Sequence, residues 1–442
     1  MSTPPPRPAP GGGAPRLLAV AQFGNSVGDG AFYTCSALYF SQVVGLSAEQ
    51  IGLGLTVAWG VGSLAGVPLG QLADRRGPRG TAVPLALATA ATVAAFLFIR
   101  AFVPFLVAAC LYATAQCGLA AARQALLAGL VEPSARTGVL ARLQATLNAG
   151  LAVGAGLGGL ALHAGTREAY LAVFALDALC FVSCALVLRR LPRVAGTGRA
   201  VRGEPRLAVL RDRPYALVTL LNAVLLLRMP LLSLALPLWI AQRTAAPDWT
   251  VSALFVLNTL TVTLFQVRVA RAVTGIGTAA RAVRRSGAVM LASCAVFATT
   301  AAGGLPGWAA LAVLLLGAAL QVVAEMQHSA GAWQIGFSLA PPDRIGQYQG
   351  FFGSGVPVAR TLGPVVATTL LITWGPVGWL LLGALLLGAS AAMGPAARHA
   401  DRVSRTGRRT AAPRRDSWRP GGPASCTRGS APHDAHPGGS AG

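Results

Sequence analysis

The chain contains no lysine, and acids are scarce: 14 Asp and Glu stand against 36 basic residues, all of them arginine. Charged residues fill only 11% of its 442 positions, while apolar ones fill 54%. A soluble domain of this length with so little charge would expose large apolar patches. The shortage excludes an ordinary water-soluble fold and leaves an integral membrane protein. The net charge of +22 does not make it a nucleic-acid binder. Its arginines stand in short connections and a terminal tail, without interleaved aromatics or a nucleic-acid module. Anionic phospholipid headgroups are the simpler partner for that charge.

Cysteine is present without pattern. Cys35, Cys110, Cys117, Cys180, Cys184 and Cys294 fall inside apolar runs and Cys426 in the tail, with neither metal-ligand spacing nor a disulfide framework. They read as small buried apolar residues. No metal or cofactor site is expected. No nucleophile, base or metal cluster is arranged for chemistry, so an enzyme is the least favoured class. No small-residue cleavage site follows the first apolar run, so a removable signal peptide is not expected.

What the chain does have is apolar runs long enough to cross a bilayer, at about 20 residues each. Twelve are expected: Leu17 to Val43, Ala48 to Leu72, Thr81 to Ile99, Phe102 to Leu127, Gly138 to Leu162, Ala169 to Leu188, Tyr215 to Ala241, Thr250 to Val267, Val283 to Ala301, Trp308 to Phe337, Ile345 to Ile372 and Val377 to Met393. Arginines gather in alternate connections, leaving only Arg100, Arg167 and Arg243 on the other side. That asymmetry puts both termini in the cytoplasm of a multi-pass cell-membrane protein. The basic connection 189–213, with Arg199, Arg202 and Arg206 among its arginines, divides the chain into halves 16–188 and 214–396. Segments 1–15 and 397–442 lack periodicity and are expected to be disordered; His433 and His436 there are incidental. The halves carry a weak internal repeat, since Leu130-Val-Glu-Pro133 and Leu339-Ala-Pro-Pro342 are spaced like Gly154 and Gly363.

The connection after the second run reads Gly70-Gln-Leu-Ala-Asp74-Arg75-Arg76-Gly77-Pro78-Arg79. Its Gly-x-x-x-Asp-Arg-x-Gly-x-Arg pattern resembles the signature loop of the major facilitator superfamily of secondary transporters. The resemblance implies an all-α integral membrane fold of twelve transmembrane helices in two pseudo-symmetric six-helix bundles. It also implies a conformational latch at Gly70, Asp74, Arg75, Gly77 and Arg79. Asp74 would face the start of the eleventh helix near Ile345 to Gln347, braced by Arg79. Relatives often add an acid near Gly129; with glycine there, the charge relay stays open.

Small residues four apart make flat stripes for close helix approach: Gly62, Gly66 and Gly70 in the second run, Gly150, Gly154 and Gly158 in the fifth. The run Gly154-Ala-Gly-Leu-Gly158-Gly159 also resembles an antiporter motif of the superfamily, with Ala155 in place of its proline. Gly363-Pro364 keeps that dipeptide in the other half.

Ionisable groups inside a membrane are costly, and each should face a cavity or a partner. Asn25 and Asp29 are four apart on one face, with Gln22 beside them. Asp29 reads as a proton or cation site. Gln116 and Arg123 share a face, Arg123 being read as a snorkelling end residue. Asp177 and Arg228 are expected as opposite charges across the cavity. Glu325 and His328, three apart, suit a proton relay. Arg360 reads as a carboxylate partner or a ligand for an anionic group. The expected function is proton-coupled efflux of small amphipathic compounds by a monomer, through an apolar cavity with few charges. Uptake of a polar nutrient, which would place more charged and aromatic residues at mid-depth, and a non-transporting sensor on the same fold stay open.

Overall fold

The computed structural model describes residues 13–196, 207–247, 249–301 and 306–411. Most of the expected N-terminal tail, Arg199, Arg202, Arg206, Cys426, His433 and His436 lie outside the described residues. Among those described, every regular element is helical. Twelve long passages follow one another: α1 (Ala14–Leu38), α2 (Ala48–Arg76), α3 (Pro78–Phe96), α4 (Phe102–Leu130), α5 (Arg136–Ala164), α6 (Arg167–Arg190), α7 (Arg213–Arg243), α8 (Thr250–Arg271), α9 (Ile276–Thr299), α10 (Gly307–Leu339), α11 (Ile345–Thr373) and α12 (Gly375–Ala411). Ten are long and apolar enough to cross a membrane on composition alone. The other two are α1, which carries Gln22, Asn25, Ser26 and Asp29, and α9, which carries Arg281, Arg284 and Arg285.

Local chemistry sets the ends. Ser47 caps α2 through a reciprocal pair, accepting from the Gln50 amide at 3.2 Å while Gln50 Oε1 accepts from the Ser47 amide at 3.0 Å. The turn from α2 to α3 is the single residue Gly77, at φ +92°, which a side chain would strain. Pro230 interrupts α7, since it brings no N–H and its ring crowds the preceding turn. The regular helix accordingly stops at Leu226 and resumes through a π turn, Leu231–Ala235, so Arg228 sits in the break.

Packing repeats when six is added to each helix number. α1 packs on α5 and α6, α2 on α4, and α3 on α4 and α6; α7 packs on α11 and α12, α8 on α10, and α9 on α10 and α12. Among the crossings that join the halves, two are images of each other, α2 with α11 and α8 with α5, and α11 also lies against α4. The interior of each half is apolar and aromatic, with Phe32, Phe96 and Phe174 clustered in one and Trp239, Phe297 and Trp379 in the other. The outer face is apolar as well, with Leu64 78% and Phe98 80% exposed, the inside-and-outside hydrophobicity that a lipid surround stabilises.

The last boundary differs from expectation. No break occurs at Ala397: α12 continues to Ala411 and buries Ala396, Ala397 and Ala400. Alanine at these positions supplies both helix propensity and an apolar face, which the arginine-rich composition of the segment concealed. Gly159 also differs. The resemblance of its run to a packing motif implies contact with another helix, yet no atom of a neighbouring helix lies within 4 Å of where its Cβ would be.

Candidate functional site

A cavity of about 440 Å³ lies between the halves, walled by α1, α2, α4 and α5 on one side and α7, α10 and α11 on the other. Its depth follows from helix position, since Asp29, Gln116, Arg228 and Arg360 all fall near the middle of their passages. The Asp29 carboxylate accepts from Asn25 Nδ2 at 2.8 Å and from Gln116 Nε2 at 3.5 Å. Gln116 Nε2 also reaches the Tyr112 hydroxyl at 3.1 Å, and that hydroxyl stands 3.5 Å from the hydroxyl of Tyr33. The i,i+4 spacing on α1 thus makes half of the acid's cradle, and α4 completes it.

Arg123 is a wall residue rather than a snorkelling one. Its guanidinium donates to Gln22 Oε1 at 3.3 Å and to Cys184 Sγ at 2.9 Å, because α1 and α6 close over that face of α4. Arg360 lies over the ring of Trp59, 4.4 Å from its centroid, and 5.7 Å from that of Tyr33. Stacking of this kind holds a guanidinium in place without neutralising it.

Arg228 and Asp177 do not face each other. Arg228 Nη1 pairs with Glu325 Oε1 at 3.5 Å, and its Nη2 donates to His328 Nδ1 at 3.2 Å. Glu325 also accepts from Asn258 Nδ2 at 3.3 Å. Asp177 is fully buried behind α1, against Gly28, with neither carboxylate oxygen hydrogen-bonded. The break in α7 aims Arg228 at α10, and α1 stands between Asp177 and the cavity. Glu325 and His328 are not bonded directly to each other either; Arg228 sits between them, and only His328 lines the cavity.

The signature loop closes the end of the bundle where the chain begins. The Asp74 carboxylate accepts two backbone bonds from the start of α11, Gly346 N–H at 2.7 Å and Gln347 N–H at 2.8 Å. Unsatisfied amides and a partial positive charge at a helix start make this a favourable seat for an acid. Arg79 turns elsewhere: its Nη1 donates to the Leu191 carbonyl at 2.6 Å, because the segment after α6 lies across the loop. The backbone of Arg75 and Gly77 is approached closely by Gly196 and the Val194 carbonyl. Beyond the loop α2 meets α11 glycine to glycine. A Cβ on Gly70 or Gly346 would strike the other helix's backbone, and Gly66 faces Gly350 in the same way. Thr137 Oγ1 donates to Gln334 Oε1 at 2.7 Å, a further bond between the halves.

The other glycines pack within halves. Gly62 meets the Ala113 backbone of α4, Gly150, Gly154 and Gly158 meet α1 from Phe23 to Thr34, and Gly363 meets Pro230. Pro364 lies inside α11. Sequence reasoning missed the Gly346-x-x-x-Gly350 partner stripe, whose spacing copies Gly66-x-x-x-Gly70 and was available as a signal. It also missed Tyr33, Trp59 and Gln349 on the cavity wall, for which no local pattern existed.

A family model described as the Major Facilitator Superfamily matches residues 18–364. The chain belongs to that superfamily. Among solved structures, this member is similar to the human organic anion transporter TETRAN, at 16% identity over 88% of this chain and 100% of that one, with a TM-score of 0.64. A bacterial homologue of the iron transporter ferroportin, in an outward-facing state, matches at 15% identity over 88% and 99%, TM-score 0.66. The Escherichia coli fucose:proton symporter FucP matches at 15% identity over 87% and 98%, TM-score 0.61. At such identities the likeness is one of fold. No curated protein sequence matches the chain. The superfamily member therefore has a transporter fold shared by proteins of varied cargo.

Proposed function

We propose that this protein is a secondary active transporter that moves a small organic solute by alternating access and couples the movement to protons. The observation that carries the reading is Asp29, a carboxylate at mid-depth in a cavity between two half-bundles, cradled by neutral donors. Such an acid can exchange a proton with whichever side the cavity faces, and its charge changes what the cavity binds. The Asp74 latch and the glycine crossing of α2 with α11 form the gate at the end carrying both termini, which we take as cytoplasmic from the arginine distribution. Opening it would separate Gly66 and Gly70 from Gly350 and Gly346 and release two charge-assisted bonds.

The wall also carries Leu18, Leu143 and Leu226 beside its amides, a surface for a solute with an apolar body and a polar group. Export, the expected direction, and uptake are separated by one preparation. Purified protein in vesicles bears a single cysteine at Gln334, at the gate, and its labelling is followed under pH gradients of either sign. Labelling should change with the sign of the gradient, and Asp29→Asn should abolish the change. Labelling indifferent to the gradient, or a response undiminished in Asp29→Asn, defeats the proposal. The gradient that leaves the gate open then gives the direction of loading.

A further inference from the structure

Among the cavity-lining residues of the second half, the polar atoms that the fold leaves unused are mostly donors. His328 and Arg228 are both buried, 2% and 8% exposed, and both line it. Arginine can only donate, so the contact from Arg228 Nη2 makes His328 Nδ1 an acceptor. The imidazole proton then lies on Nε2, an atom with no partner in the structure. Arg228 Nε and, further along the wall, Gln349 Nε2 are likewise buried donors without an acceptor. A buried donor left unmade costs about 1–3 kcal/mol, so three on one half of a cavity call for an acceptor that arrives from outside.

The charge agrees. Arg123, Arg228 and Arg360 line the cavity, and Asp29 is the one carboxylate among its described lining residues. Counting Glu325 behind Arg228 still leaves three cations to two acids. Neither Arg123 nor Arg360 has a carboxylate within ion-pair distance among the described residues. Burial of unneutralised guanidinium groups is costly, and a bound anion offsets it. The unused acceptors are Asn222 Oδ1 on the same half and Asn25 Oδ1 and Gln124 Oε1 on the facing half. They suit hydroxyl or amide hydrogens on the rest of a solute.

We infer that the transported solute carries an oxyanion (carboxylate, phosphate or sulfonate) received by His328 Nε2–H and the Arg228 guanidinium, with Arg360 supplying the attracting charge. The inference rests on the transporter reading above and names its substrate class. It revises the expectation of an apolar cavity with few charges, because helix packing converges arginines that lie far apart in the sequence.

The test uses the full chain, purified in detergent, and matched ring compounds as probes: benzoate, phenyl phosphate and benzenesulfonate against benzamide, benzyl alcohol and benzylamine. Thermal stabilisation is titrated for each. At least one oxyanion should stabilise saturably while the amide, alcohol and amine do not. His328→Phe and Arg360→Gln should each weaken that response about tenfold, equivalent to about 1.4 kcal/mol. Arg360 is on the wall and not part of the Arg228–Glu325 pair, so Arg360→Gln keeps the test open if changes near Arg228 impair folding. Stabilisation by benzylamine or the neutral probes, no response to any oxyanion, or an oxyanion response unchanged in both variants overturns the assignment. The cysteine experiment at Gln334 uses no ligand, so failure here and failure of the transporter reading are distinguishable.

Discussion

Arg228 holds the polar order of one cavity wall, since it bonds Glu325 and His328 at once. Removing it leaves Glu325 without its counter-charge and His328 Nδ1 without a donor. Breaking such a pair from one side costs of order 3 kcal/mol in buried settings. Arg228→Gln should therefore lower the melting temperature of the purified protein, and Glu325→Gln in the same chain should recover part of the loss. Equal melting temperatures for Arg228→Gln and the unaltered protein would show that the pair adds nothing to stability. At this scale residue spacing shows faces but not partners. The four-residue spacing of Asn25 and Asp29 was legible because a helix alone decides it. That Asp177 and Arg228 do not pair was not legible. Each was correctly read as lying within a span, but the interposed α1 and the Pro230 break send them to different neighbours.

At the scale of helices, glycines divide into those that touch and those that do not. Gly154 lies against the backbone of Val27 and Ala31, whereas Gly159, one turn on, faces open space. Gly154→Leu should separate α1 from α5 and lower thermal stability by several degrees. Gly159→Leu should leave it unchanged, its side chain pointing away from the protein. A drop of similar size in both variants would mean that helix propensity, not contact, governs these positions. The crossing of α2 with α11 predicts something different. A Cβ on Gly346 would meet the Gly70 carbonyl and the Asp74 carboxylate, so Gly346→Val opposes closure of the gate rather than folding. A cysteine at Gln334 should then be labelled faster in Gly346→Val than in the otherwise unaltered protein, at similar melting temperature. Unchanged labelling would place the gate elsewhere. The triplets in α2 and α5 were readable as flat stripes, but a stripe does not name its partner. The partners of Gly66 and Gly70 lie 284 and 276 residues away, at Gly350 and Gly346, in antiparallel order.

For the whole molecule, twelve antiparallel passages bring the two ends of the described chain to one end of the bundle. Reporters fused at residue 1 and after Ala411 should both act as cytoplasmic markers in cells, and opposite responses would refute the topology. The sequence by itself determined the membrane class, the count of passages and the division into halves. Each depends on composition and on local periodicity, which a run of about 20 residues decides without reference to the rest of the chain. It also carried the signature loop, because Asp74 and Gly77 act through a helix start and a one-residue turn. Only the tertiary structure decided which polar groups meet: Arg228 with Glu325 and His328, Arg360 on Trp59, Asp29 with Gln116. Those contacts join helices far apart in the chain, and a helix turned by one residue, about 100°, would face each of these side chains elsewhere.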